Sequence, residues 1–254
     1  MPRGERKASK TGIYHVMLRG ISQQRIFEDR EDYAWFLECI SEVKKLSEFK
    51  LFAYCLMGNH VHLLLKEGKE PLAQIFRRIG ARYVFWFNWK YRRNGHLFQD
   101  RFRSEPIETD EYFLSVLVYI YQNPVAAGLC KSPRDYEWCS RRMLGKCEVI
   151  DEEELRKIVP LDEVKKRERE ETKCDLLEPK IGRRMALSDE DAFKQMKTLS
   201  GVKTTTEFQA LDQQRQSRVF CEMRKKGASI RQLARLAGLG KGVVERLCRA
   251  SRDA

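Results

Sequence analysis

The chain has 254 residues, 42% of them hydrophobic and 34% charged, with a formal net charge of +12. That length provides one large domain or two modest ones with ample core, in a soluble globular composition. No apolar run approaches the roughly 18 residues of a spanning helix, and the start, MPRGERKASK, has no apolar secretory segment, so a cytoplasmic protein is expected.

The charge is unevenly spread: +7 over residues 1–145, −1 over 146–187 and +6 over 188–254. Two basic blocks around a neutral, highly charged middle suit a polyanion touched at two places. The eight cysteines (Cys39, Cys55, Cys130, Cys139, Cys147, Cys174, Cys221, Cys248) form no CxxC pair. This argues against a zinc ribbon or a disulfide framework and for reduced thiols.

In chain order, IYHVML (13–18) alternates as a strand does. Apolar residues at Trp35, Phe36, Ile40, Val43 and Leu46 give a helical stripe between Glu31 and Leu46. Leu51 to Met57 is apolar and ends at Gly58-Asn59, a two-residue hairpin signal, so His60 to Lys66 is its antiparallel partner. Pro71 opens a long helix to about Tyr91, closed by Asn94-Gly95. HLFQDRFRSEPIE then predicts an extended segment, and Asp110 caps a helix from Glu111 to about Gln122, stopped by Pro124. The order β-α-β-β-α-β-α predicts an α+β fold. Its first six elements match a ferredoxin-like split βαβ, an antiparallel sheet with helices on one face. Residues 146–187 (DEEELRK, DEVKKREREETK) predict a charged connector outside the core. Beyond it, GASIRQLARLAGLGKGVVERLCRA predicts an all-α helix-turn-helix module over 188–254. Ser229 and Gln232 form its capping box, and Lys241, Arg246 and Arg249 point outward towards DNA.

In a strand the side-chain period is two, so His60 and His62 share one face and Val61 takes the other. Imidazoles about 6–7 Å apart along a strand can both reach one divalent cation. Neither His15 nor His96 lies in a motif that would complete a zinc hydrolase. Two histidines plus an oxygen ligand suit Mg²⁺ or Mn²⁺ acting on a phosphate. On the last predicted helix before Pro124, Tyr119 and Asn123 are i and i+4 and share a face, while Tyr121 lies about 200° round. A phenol and an amide oxygen there would supply a nucleophile and a third ligand.

From Pro71 to Arg93 stand Arg77, Arg78, Arg82, Lys90, Arg92 and Arg93, with no acidic residue and with aromatics interleaved. Phosphate contacts from the arginines would follow the single-strand binding pattern, while most of the aromatics form the helix's core stripe. Gln99, Arg101 and Arg103, alternating on the extended segment, add a second set of contacts.

The combination of NHVHLLL, RRIGARYVFWFNWKYRRNGHLFQDRFRS and YIYQNPVAAGL resembles the single-tyrosine, insertion-sequence-200-type transposases of the HUH superfamily, most of all the REP-associated branch. The resemblance spans about residues 10–142. It implies a catalytic domain over 1–145 that cuts and rejoins single-stranded or hairpin DNA through a 5′-phosphotyrosine. Tyr119 matches the nucleophile, and His60 and His62 match the ligands of Mg²⁺ or Mn²⁺. Asn123 stands where many members carry Gln as third ligand, with Gln122 as the alternative. The resemblance further implies a nucleoid-associated protein, acting as a monomer or homodimer, with no membrane and no small-molecule cofactor. The competing expectation is a non-catalytic or domesticated regulator bound to repeated palindromic elements.

Overall fold

A computed structural model describes residues 7–145, 149–169 and 189–250. Its elements begin with β1 (Ile13–Arg19), α1 (Arg30–Ser47), β2 (Lys50–Met57), β3 (His60–Lys66), α2 (Leu72–Lys90), β4 (Arg103–Pro106) and α3 (Asp110–Ala126). There follow α4 (Ser140–Met143), α5 (Glu152–Ile158), α6 (Leu161–Arg169), α7 (Asp189–Ser200), α8 (Thr205–Ala210), α9 (Gln213–Lys225), α10 (Ile230–Ala237) and α11 (Lys241–Ala250). The four strands form one sheet in the order β2-β3-β1-β4, every neighbouring pair antiparallel.

The strands are apolar on both sides, and this decides where the helices go. Tyr14, Val16, Leu18, Val61, Leu63 and Leu65 pack with Phe36, Ile40 and Val43 of α1 and Ile75, Ile79 and Tyr83 of α2. The alternate residues, Ile13, Ala53, Cys55, Met57 and Leu64, pack with Phe113, Val116, Leu117 and Ile120 of α3. The two helices of the first six elements, α1 and α2, thus share one face as expected, and α3, the seventh element, covers the other, because a strand such as HVHLLLK leaves neither face polar enough for water.

Three local expectations are corrected. The α3 N-cap is Thr109, whose side chain accepts from Tyr112 N, with Asp110 in the first turn. The same helix runs on through Pro124 to Ala126, and the Asn123 side-chain amide donates to the Tyr119 carbonyl at 3.2 Å in that final stretch. The extended segment after α2 is a strand only from Arg103 onward. Before it, the chain is tied to β1 by a Gly20–Phe98 bridge and a Gln99 N–Arg19 O bond of 2.8 Å.

The first half of the charged stretch joins the core that it was expected to leave. Leu155, Val159 and Val164 are buried against the α3 side of the sheet. Asp151 clamps β2, its N–H donating to Leu51 O and its carboxylate accepting from Leu51 N, both at 2.8 Å. Its charges occupy one side of short helices and its few apolar residues the other, so composition hides the burial. Cys174 and Cys147 lie outside the described residues; among the described residues the other six cysteines form no disulfide with one another.

Residues 189–250 build a separate apolar cluster around Phe193, Met196, Phe208, Phe220, Leu233 and Leu247. This unit meets the sheet domain at Arg25, whose guanidinium lies 4.2 Å over the Phe193 ring and 3.5 Å from Glu190. Beside it, Thr205 N donates to Glu28 Oε1 at 3.2 Å. Burial pushes the Glu28 carboxyl above the ordinary value, against the pull of Arg25 and the Thr205 bonds.

Gly68 precedes α2, and a Cβ there would stand 2.3 Å from Ser47 O and 2.4 Å from Glu48 backbone atoms. Backbone cannot give way as a side chain can. Gly68→Ala is expected to cost about 1–3 kcal/mol, read as a lower urea midpoint at unchanged slope.

Candidate active site

The centre of the β3–β1 pair carries three imidazoles on the face covered by α3. His60 is 8% exposed, while His62 and His15 are completely buried. The His60 and His62 rings stand perpendicular with centroids 5.0 Å apart. Each is held through Nδ1: that of His60 lies 2.6 Å from Asn59 Oδ1, and that of His62 lies 2.9 Å from His15 Nε2. Fixing Nδ1 directs any ligation to Nε2. The hairpin turn that presents them is braced from behind, since Gly58 packs so closely on the Arg25 guanidinium that a Cβ would be 3.0 Å from it.

His15 was set aside in the sequence because it belongs to no motif. Its signal was the alternation of IYHVML, which puts Ile13, His15 and Met17 on one face, but only the β1–β3 pairing reveals which face that is.

From α3, the Tyr119 ring meets His62 edge-on at 5.6 Å and His15 at 5.9 Å. Tyr119 is half-buried, whereas Tyr121 is fully buried on the other side of the helix, 5.8 Å from the Arg141 guanidinium. Burial pushes the Tyr121 phenol far above its ordinary value. Asn123 is buried one turn beyond Tyr119. Gln122 turns away and donates to the Glu168 carbonyl on α6 at 3.1 Å. Among the described residues no group of three or more His, Cys, Asp or Glu is arranged to hold a metal ion, so a complete donor set needs an amide or another oxygen.

The basic residues divide. α2 packs beside α1, on the sheet face opposite the histidines and Tyr119. Its apolar stripe was needed on that face. There Arg78 pairs with Glu70 at 2.8 Å, Arg82 with Glu42 at 2.5 Å, and Lys90 with Asp29, Glu31 and Asp32. The carboxylates that balance this one-signed helix are therefore the protein's own. Arg77 and Arg92 are exposed, and Arg93 reaches Gln24 Oε1 at 3.4 Å. Of its aromatics, Tyr83, Trp86, Phe87 and Tyr91 pack on the core as expected for most of them, while Phe85 and Trp89 are 77% and 73% exposed.

Gln99, Arg101 and Arg103 are exposed, but only Arg103 is on a strand. It faces Met17, which faces His62 on the other side, so Arg103 shares the histidine face of the sheet. In the C-terminal unit Ser229 accepts from Gln232 N at 3.1 Å, half of the expected capping box, while the Gln232 amide donates to Asp189. Lys241, Arg246 and Arg249 are exposed on α11, with Lys241 3.1 Å from Glu245.

A family model described as transposase IS200-like matches residues 8–123, the segment that carries β1 to α3 with all three histidines and Tyr119. These residues belong to the IS200-like transposase family. Among solved structures, the chain is similar to a REP-associated tyrosine transposase bound to a REP hairpin. The TM-score is 0.50 at 20% identity, with 57% of this chain and 87% of that one covered. At this identity the likeness is one of fold, a mixed α/β unit with an antiparallel sheet. No curated protein matches the chain in sequence. Among the described residues no helix is long and apolar enough to cross a membrane.

Proposed function

We propose that this chain is a DNA transposase that cleaves and rejoins single-stranded DNA at hairpins through a 5′-phosphotyrosine intermediate. The observation that carries it is the shared anchoring of His60 and His62 through Nδ1 beside Tyr119. Two imidazoles so pinned fit a divalent ion, Mg²⁺ or Mn²⁺, with the Asn123 amide oxygen as third donor. When bound, the ion supplies Lewis-acid stabilisation of charge on the scissile phosphate.

Tyr119 Oη attacks the phosphorus. The P–O3′ bond breaks, the phenol's proton leaves to solvent, and the 3′-hydroxyl departs while the 5′ side stays on the enzyme as a tyrosyl ester. A second strand's 3′-hydroxyl attacks that ester and returns the tyrosine, so joining needs no nucleotide cofactor. Arg103, on the histidine face, supports the strand near the reacting phosphate, with Gln99 and Arg101 beside it. Arg77, Arg92 and the exposed aromatics of α2 offer the opposite face to flanking DNA. Residues 188–254 act as the site-selecting module, with α10 and α11 as a helix-turn-helix and Lys241, Arg246 and Arg249 on phosphates.

The test is incubation with Mn²⁺ and a labelled single-stranded hairpin oligonucleotide from the DNA flanking the gene. A covalent adduct that peptide mapping locates on Tyr119 is expected; strong, salt-sensitive binding with no adduct would favour the non-catalytic regulator. His60→Ala is expected to weaken Mn²⁺ binding and abolish cleavage while DNA binding survives.

A further inference from the structure

We propose that His15 is a positioning residue that fixes the tautomer and orientation of His62, with Glu105 as the carboxylate behind it. The inference rests on the assignment of His62 as a metal ligand. If His62 ligates through Nε2, that nitrogen must be unprotonated and the proton must sit on Nδ1. Nδ1 lies 2.9 Å from His15 Nε2, so in that state His62 donates and His15 accepts. The two rings also stack, with centroids 5.2 Å apart and planes 25° apart, and both are fully buried, so neither rotates freely.

A neutral His15 that accepts at Nε2 carries its proton on Nδ1, and that N–H requires an acceptor. Glu105 stands directly across from His15 in the β1–β4 register. Directly opposed residues on one sheet face have Cβ atoms about 4.5–5.5 Å apart. The Glu105 Oε1 atom accepts the Tyr112 hydroxyl at 2.5 Å, while Oε2 is buried with no hydrogen-bond partner among the described residues. The sheet thus carries a row of carboxylate, imidazole and imidazole leading from β4 through β1 to β3. Such outer partners orient metal-binding histidines and raise their basicity.

Two measurements on the full chain test this. Long-range ¹H–¹⁵N spectra of the metal-free protein report the His62 tautomer, and Mn²⁺ titration reports affinity. Wild type is expected to hold His62 as the Nδ1–H tautomer. His15→Leu is expected to lose that preference and to bind Mn²⁺ about 10–100-fold more weakly. His15→Gln, whose amide oxygen can accept the same hydrogen bond, should restore much of both. An unchanged tautomer and a Kd within twofold in His15→Leu would overturn the proposal. Should His15→Leu not fold, Glu105→Gln decides: it must perturb the tautomer and weaken Mn²⁺ binding, and no effect on either overturns the role of Glu105. Failure of the metal assignment looks different, since His60→Ala and wild type would then bind Mn²⁺ alike while the tautomer data still judged His15.

Discussion

Tyr119→Phe is expected to remove the covalent DNA adduct and lower strand cleavage by a factor on the order of 10⁵, the scale seen when a catalytic nucleophile is deleted. Phenylalanine keeps the ring that meets His62 and His15 edge-on at 5.6 and 5.9 Å, so packing and stability should scarcely change. Hairpin binding and Mn²⁺ affinity should stay within a few-fold of wild type. The informative contrast is Tyr121→Phe, two residues on, which removes a buried hydroxyl from the opposite side of α3 and should leave adduct formation intact. Denaturing gels and a thermal melt on the two variants are enough. Equal cleavage by wild type and Tyr119→Phe would refute the assigned nucleophile.

The second large effect is on stability and lies on the other face of the sheet. Asp32 is wholly buried at the start of α1, where its carboxylate closes the capping box with Asp29. It also accepts from Tyr91 Oη at 2.8 Å and from Lys90 Nζ at 2.9 Å. Asp32→Ala leaves Tyr91 Oη and the backbone amides of Glu28 and Asp29 without that acceptor, while the Lys90 ammonium keeps Asp29 and Glu31, a cost of about 1–3 kcal/mol for each buried group left unsatisfied. Chemical denaturation should show it as a large fall in midpoint. Lys90→Met tests the other half. Burial already pushes the Asp32 carboxyl above its ordinary 3.8, against the bonds from Lys90 and Tyr91. Without Lys90 the folded-state value rises further, and an acid with a raised folded pKa loses stability as pH climbs through that value. The variant should therefore be weakest near neutral pH and recover on acidification, a trend that wild type, with its smaller rise, should show more weakly.

Much of the candidate site was legible because it rests on short-range periodicity. HVH in a strand must put both imidazoles on one face, and Tyr119 with Asn123 at i and i+4 must share a helix face. His15 was not legible, since its partner lies 47 residues away and is chosen by strand pairing. The face that α2 covers relative to the histidines was not legible for the same reason. Its basic and aromatic composition is real, but which sheet face it covers depends on the path of the chain, and that path puts Arg78, Arg82 and Lys90 against carboxylates of α1 and the loop before α2. The charged stretch near 150–169 misled through its average, because Leu155, Val159 and Val164 sufficed to seat it on the core.

By itself, then, the amino-acid sequence determined the first seven elements and their order, the shared face of the paired imidazoles and that of Tyr119 with Asn123, all consequences of periods of two and 3.6 residues. Only the tertiary structure decided that a third imidazole backs His62, that Glu105 stands behind it, and that the basic helix lies across the sheet from them. These depend on which strands become neighbours and on which face each helix settles. Strand neighbours and helix faces are chosen by the summed burial of many distant side chains, and no local pattern records that sum.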